Sequence, residues 1–208
     1  LYTLDGEVYD SEDINFTISN FLVFSTLFGS TEKNESGHSI IQKQDSNFVV
    51  LGNVDNDVLM VEFDNEGDVL WSQSYGGSQL DEAYHFEHTS DGGYIISGST
   101  RSYGFGGSDI WLIKSGSDGL IEWNTYIGTE YDEQGGQIIQ TEDSGYLLVG
   151  NRTHEQREDS DVWLIKTNSQ GDSIWTKTYG GLGDDIGSDI IQIENNGYIL
   201  VGSTKSYE

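Results

Sequence analysis

From Gly37 onward, short apolar runs alternate with turns rich in glycine, asparagine and aspartate. Three stretches share one grammar: Asp57 to Trp71 (DVLMVEFDNEGDVLW), Asp109 to Trp123 (DIWLIKSGSDGLIEW) and Asp161 to Trp175 (DVWLIKTNSQGDSIW). Each reads as two β-strands joined by a tight turn at Gly67, Gly119 or Gly171, where glycine supplies the positive φ that such turns demand. The closing tryptophans Trp71, Trp123 and Trp175 recur every 52 residues. Ahead of each hairpin stands an apolar strand ending in glycine: FVVLG at Phe48–Gly52, YIISG at Tyr94–Gly98 and YLLVG at Tyr146–Gly150, with a fourth copy, YILVG, at Tyr198–Gly202. A further run precedes each of these, at Gly37–Asp45, Ala83–Asp91, Gly135–Asp143 and Gly187–Asn195. Each unit therefore holds four short β-type runs, and none sustains a helical period of 3.6 residues. The runs around Trp111 and Trp163 (WLI) are apolar without alternation, as in strands covered on both faces.

A four-stranded unit repeating at ~50 residues predicts an all-β protein, a β-propeller of four-stranded antiparallel blades, because blades stacked around an axis cover one another's faces. A stacked β-solenoid is the competing architecture, but its coils are shorter. The blades fall at residues 37–76, 83–128 and 135–180, with a half blade at 187–203. Residues 20–29 (NFLVFSTLFG) match the last strand of a unit, with Phe24 in the tryptophan position, and residues 1–19 form an N-terminal segment that offers a closing strand, residues 1–8. Two readings stay open: a four-bladed ring closed through the N-terminal strands, or a segment of a larger propeller.

Composition narrows the partners. The 208 residues include 36 acidic and 9 basic side chains, for a formal net charge of −27. Phosphate backbones and anionic membranes are poor partners for such a surface, so neither nucleic acid nor direct membrane insertion is expected. The chain has no cysteine, which removes disulfides, thiol catalysis and thiolate-bound zinc. It has 27 glycines and no proline.

At the hairpin turn, Asp64-x-x-Gly67-x-x-x-Trp71, with Trp123 and Trp175 placed likewise after Gly119 and Gly171, resembles the signature of quinoprotein-type propeller blades. The whole unit, with DGGY at Asp91–Tyr94, SDIWLIK at Ser108–Lys114 and YGG at Tyr75–Gly77, is more similar still to bacterial and archaeal surface propeller repeats. The resemblance spans residues 20–208. It implies an extracellular or cell-surface location and tryptophans that pack between neighbouring blades.

Candidate chemistry sits in the loops. Acidic pairs, Asp81-Glu82, Asp132-Glu133 and Asp184-Asp185, with Asn34-Glu35 as a remnant, mark each loop into a new blade. A ring of such carboxylates suits Ca²⁺ or another hard cation; the competing reading is that they cap loop amides. No other cofactor is expected. The loops at Ser99–Ser108 and Asn151–Ser160 hold Arg101, Tyr103, Phe105, Arg152, His154 and Arg157, three cations with aromatic neighbours on an acidic protein, and these are the candidate partner contacts. His38, His85 and His88 read as packed or channel-facing, since residues three apart on a strand point to opposite faces. Trp71, Trp111, Trp123, Trp163 and Trp175 read as structural. Three Asn-x-Ser/Thr patterns, at Asn15, Asn34 and Asn151, are assigned no role. No nucleophile-elbow, zinc-protease or phosphate-loop motif is present. The expected function is a non-catalytic binding or scaffolding module for a protein or a glycan. The alternatives are a propeller enzyme (quinoprotein-like oxidoreductase, glycoside hydrolase or lyase) and a structural subunit of a larger surface assembly.

Overall fold

The computed structural model describes residues 33–157, 159–194 and 197–206, together with the backbone of two short strands nearer the N-terminus, β1 (Ile14–Asn15) and β2 (Leu27–Phe28). The expected strand at residues 1–8, the aromatic position Phe24 and most of residues 20–29 lie outside the described residues.

The described residues are all-β with almost no helix. The first sheet runs β3 (Glu35–Gln42), β4 (Phe48–Val54), β5 (Asp57–Phe63), β6 (Val69–Tyr75), in that order. The second repeats it with β7 (Asp81–His88), β8 (Tyr94–Thr100), β9 (Asp109–Ser115) and β10 (Ile121–Ile127). In the third, two short pieces, β11 (Glu133–Gln134) and β12 (Ile138–Gln140), both pair with β13 (Tyr146–Thr153), which leads to β14 (Ser160–Thr167) and β15 (Ser173–Tyr179). The fourth consists of β16 (Asp185–Ile193) and β17 (Gly197–Thr204). Among the described residues all pairings are antiparallel, and no sheet closes into a barrel.

Register repeats along with sequence. The strand-ending glycines pair with Leu59, Trp111 and Trp163 on the third strand of their sheets. The physical reason for glycine is close approach on the other side: a Cβ on Gly52, Gly98, Gly150 or Gly202 would sit 2.0–2.4 Å from a carbonyl oxygen of the first strand. The first strands β3, β7 and β16 each carry a register shift at that point, between Gly37 and Ser39, Ala83 and His85, and Gly187 and Asp189.

Successive sheets stack face to face. β7 lies against β3, β4 and β5, β12 against β7 and β8, and β16 against β12, β13 and β14. The two central strands of a sheet feed both flanking cores, which accounts for their unbroken burial. Tyr94, Ile96, Trp111 and Ile113 of the second sheet join Val49, Leu51, Val58 and Met60 of the first. Their neighbours Ile95, Ile110 and Leu112 point the other way, onto Ile138, Leu148, Trp163 and Ile165. Leu147, Val149, Val162 and Leu164 then meet Ile190 of the fourth sheet. Each such side chain is worth roughly 1.5–3 kcal/mol on leaving water, so the joints between sheets, rather than the sheets alone, hold the array together.

Polar side chains lock each joint. The Asn53, Ser99 and Asn151 side chains, each the residue after a strand-ending glycine, accept hydrogen bonds from the amides of Ala83, Gly135 and Gly187 in the next sheet, at 3.0, 3.1 and 3.2 Å. At the rim, Gln140 accepts from the Ser90 amide at 2.8 Å and Gln192 from Glu142 at 3.2 Å.

Candidate functional site

The loops into each sheet and the loops after each second strand meet at one end of the array. There they line a polar cleft of about 300 Å³. Its walls bring together Glu82, Arg101, Asp132, Glu133 and Asp184, with Tyr84 among their neighbours. Five residues singled out from the two loop families thus share one recess.

The carboxylates there are engaged in holding the loops. Asp81, Glu133 and Asp185 open the first strands of their sheets and are buried. Each accepts the backbone amide four residues earlier: Gly77 to Asp81 at 2.7 Å, Thr129 to Glu133 at 2.8 Å, Gly181 to Asp185 at 2.9 Å. Hydroxyls complete the sets, from Thr100 and Ser102 on Asp81, Thr129 on Glu133 and Ser206 on Asp185. Asp132 and Asp184, one position earlier, accept from the amides of Ser108 and Ser160 at 2.8 and 3.3 Å. Asp132 also meets Arg101 at 3.3 Å, and Asp184 meets Lys205 at 2.8 Å. The aligned pairs are therefore Leu80-Asp81, Asp132-Glu133 and Asp184-Asp185; Glu82 lies one step on and accepts from the Tyr84 hydroxyl at 3.1 Å. Burial pushes the Glu133 carboxyl above its ordinary range, with Asp109 alongside adding to it, against the lowering effect of the Thr129 bonds. Among the described residues, no three histidine, aspartate or glutamate side chains converge in a metal-holding group.

The six candidate contact residues divide by how they are held. Phe105 is 67% exposed, while its amide donates to Asp109 Oδ2 at 2.9 Å, so a fixed backbone presents a free ring. Arg101 is exposed beside Asp132. Tyr103 stacks on Tyr126 at 5.4 Å and donates to the Gly76 carbonyl at 3.2 Å, so one side of its ring is committed to packing. Arg152 lies over the Trp163 ring at 5.1 Å. His154 accepts from the Gln156 amide through Nδ1 at 3.2 Å. Arg157 grips both oxygens of Asp161 at 2.9 and 3.1 Å and reaches the Gly181 carbonyl, which fastens its loop down. Arg152 and His154 line a separate recess of about 450 Å³ with Glu155 and Asp161.

The tryptophans are placed by packing; of the histidines expected to be packed, only His85 is partly buried, while His38 and His88 are exposed. Trp71 rests on the turn at Gly119 in the next sheet, and Trp123 on the turn at Gly171. Trp111 and Trp163 are core residues. His85 is partly buried, with Nδ1 3.5 Å from the Ile138 amide, and its basicity is lowered by that burial. His88 sits edge-on to Tyr94, and His38 bonds Ser36 and Asn53. The joint-capping side chains Asn53, Ser99 and Asn151 were not among the residues singled out. The signal for them is a polar residue after every strand-ending glycine, a pattern that also includes Ser203.

No family model matches the chain, and no curated protein matches it. Among solved structures, a protein of unknown function from Bacteroides caccae, determined at 1.35 Å resolution, aligns over 75% of this chain and 70% of its own, with 8% identity and a TM-score of 0.40. A likeness at that level decides nothing about fold or role.

Proposed function

We propose that the chain is a non-catalytic binding module of the β-propeller type, acting outside the cell or on its surface, and that it meets a protein or glycan partner through the loop face built around Arg101 and Phe105. The observation that carries the reading is the contrast within that face. Its carboxylates are consumed in shaping loops, whereas Phe105 stands free on a pinned backbone in the same loop as the exposed Arg101 guanidinium. A rigidly presented aromatic next to an arginine is a preferred anchor for macromolecular contact, and a fixed loop loses little conformational entropy on binding. The stacking of four sheets whose first strands succeed one another supports the propeller arrangement.

The test is affinity capture of partners by the native chain, followed by binding measurements on Arg101→Ala/Phe105→Ala. A loss of at least about tenfold in affinity, with the melting temperature unchanged, is the expected result. Undiminished binding by the folded double variant would remove this face from consideration.

A further inference from the structure

We propose that the open edge of β17 pairs with β1 of the same chain, so that the hairpin carrying β1 and β2 completes the fourth sheet. The inference is independent of the partner reading above.

The fourth sheet lacks what the other three have. Ile199 and Val201 on β17 are 54% and 59% exposed, whereas their counterparts Val49 and Leu51, Ile95 and Ser97, and Leu147 and Val149 are all fully buried. In the complete sheets a third strand covers that edge; among the described residues β17 pairs with β16 alone. The preceding joint is unfinished in the same place. Trp71 and Trp123 rest on hairpin turns of the next sheet, but among the described residues no such turn stands before Trp175. Tyr75 is buried and donates to the Gly119 carbonyl at 2.5 Å, while its counterpart Tyr179 is exposed. The result is a groove of about 1030 Å³ lined by Leu164, Trp175, Tyr179, Ile190, Tyr198 and Leu200.

β1 and β2 have the register of the missing pair. Ile14 pairs with Phe28, as Val58 pairs with Tyr75, Ile110 with Ile127 and Val162 with Tyr179 in the outer hairpins. Asp13 and Gly29 flank this pair as Asp57 and Gly76, Asp109 and Gly128, and Asp161 and Gly180 flank the others. β1 also lies against β3, the contact that β5 makes with β7, β9 with β11 and β14 with β16. The hairpin thus occupies the outer half of a sheet preceding the first, and β16–β17 is the inner half of a sheet following the third. Joining the two halves would place Ser203 at the Gly37 amide, the joint that Asn53, Ser99 and Asn151 make elsewhere. An unpaired apolar strand edge invites association, and the segment already in register for it is in the same chain.

The register assigns Val201 to Phe16, following Leu51 with Met60, Ser97 with Leu112 and Val149 with Leu164. Facing residues of antiparallel strands lie within disulfide reach, and the chain has no native cysteine. The experiment is mild oxidation of Phe16→Cys/Val201→Cys, with each single variant as a folding control. An internal disulfide in a monomeric chain, identified as a linked peptide pair, is the expected result. Free thiols in the folded, oxidised double variant, or a disulfide formed only between two chains, would overturn the proposal. Hydrogen exchange on the unmodified chain tests it without substitution: the β17 amides pointing away from β16 are expected to be protected, and rapid exchange there counts against it.

Discussion

At the scale of single residues, the third strand of each of the first three sheets carries a buried charge at one shared register position, and its sign is not constant. Lys114 and Lys166 lie there in the second and third sheets, Glu62 in the first. The partners invert accordingly. Lys114 meets Asp91 at 3.1 Å and Glu122 at 3.0 Å, and Lys166 meets Asp143 at 3.0 Å, whereas Glu62 accepts from Lys43 at 2.7 Å, Asn47 at 2.9 Å and the Trp71 indole at 2.7 Å. Conserving the ion pair while reversing it shows that the site requires compensation of a buried charge, not a particular sign. The two arrangements differ in what is left when the central residue is replaced. The acids around Lys114 are more than half exposed and return to water. Without Glu62, Lys43 would keep only the exposed Asp45 carboxylate at 3.5 Å, and the Asn47 amide and the Trp71 indole would lose the acceptor they share. Lys114→Met, which keeps the volume, is therefore expected to cost less than about 1.5 kcal/mol, and Glu62→Met about 3 kcal/mol or more. Urea unfolding of the two variants checks this, and equal costs would show that the partners' exposure does not matter.

At the scale of elements, the hairpin turns are where one sheet touches the next. Gly119 has φ +75°, and a Cβ on it would lie 2.7 Å from the Trp71 ring; Gly92 has φ +88° with open space around it. Gly92→Ala is expected to cost about 1 kcal/mol from backbone strain alone. Gly119→Ala adds a clash with a packed indole and is expected to cost about 2–4 kcal/mol. The difference, read from denaturation midpoints, isolates the contact of this turn with Trp71 and its neighbour Gln73; indistinguishable midpoints would mean that both side chains yield freely. These turns also show what the sequence makes legible. The repeat of Asp, Gly and Trp carries strand count, order and turn chemistry, because each depends on residues close together in the chain. The third sheet's first strand splits into β11 and β12 around Gly135 and Gly136, a break that no hydrophobic pattern announces. The joint caps of Asn53, Ser99 and Asn151 are equally hidden, since each bonds a residue 30–36 positions away. The aligned runs at Ala83, Gly135 and Gly187 already put Asp81 level with Glu133 and Asp185 and Glu82 one step out; what the sequence does not show is that these three acids are buried and hold the loops before them. Nor does sequence reveal that Tyr103 is half committed to Tyr126 and Arg157 to Asp161, while Phe105 is free.

At the scale of the whole molecule, a net charge of −27 over 208 residues sets every carboxylate against the rest, and two groups of acids respond to pH in opposite directions. Burial raises the Asp57, Glu87 and Glu133 carboxyls above their ordinary values. Their contribution to stability is complete below the unfolded-state value of roughly 4 and is lost as pH rises through the higher folded value. Asp143 is held down to about 2, first by the Thr141 hydroxyl and then by Lys166. At Asp91 desolvation pushes upward, but the Thr89 hydroxyl, the Gly93 amide and Lys114 outweigh it and leave the carboxyl at about 2. These two stabilise above roughly pH 4 and lose their effect as pH falls toward 2. Moving down from neutrality, the first group begins to take up protons and the self-repulsion shrinks, while the Asp91 and Asp143 clamps stay ionised. Moving further down, the clamps are protonated and the lysines buried against them lose their counter-charges. The melting temperature is therefore expected to rise from pH 7 to a maximum near about pH 5 and to fall steeply below about pH 4. Added salt should raise it at pH 7 more than at pH 5, because screening substitutes for the protons that the acids have not yet bound. Calorimetric scans across pH 3–8 at low and high ionic strength measure both effects. A melting temperature that declines steadily from pH 7 to pH 5, or that ignores salt at neutrality, would show that the clamps govern stability and that the excess negative charge does not.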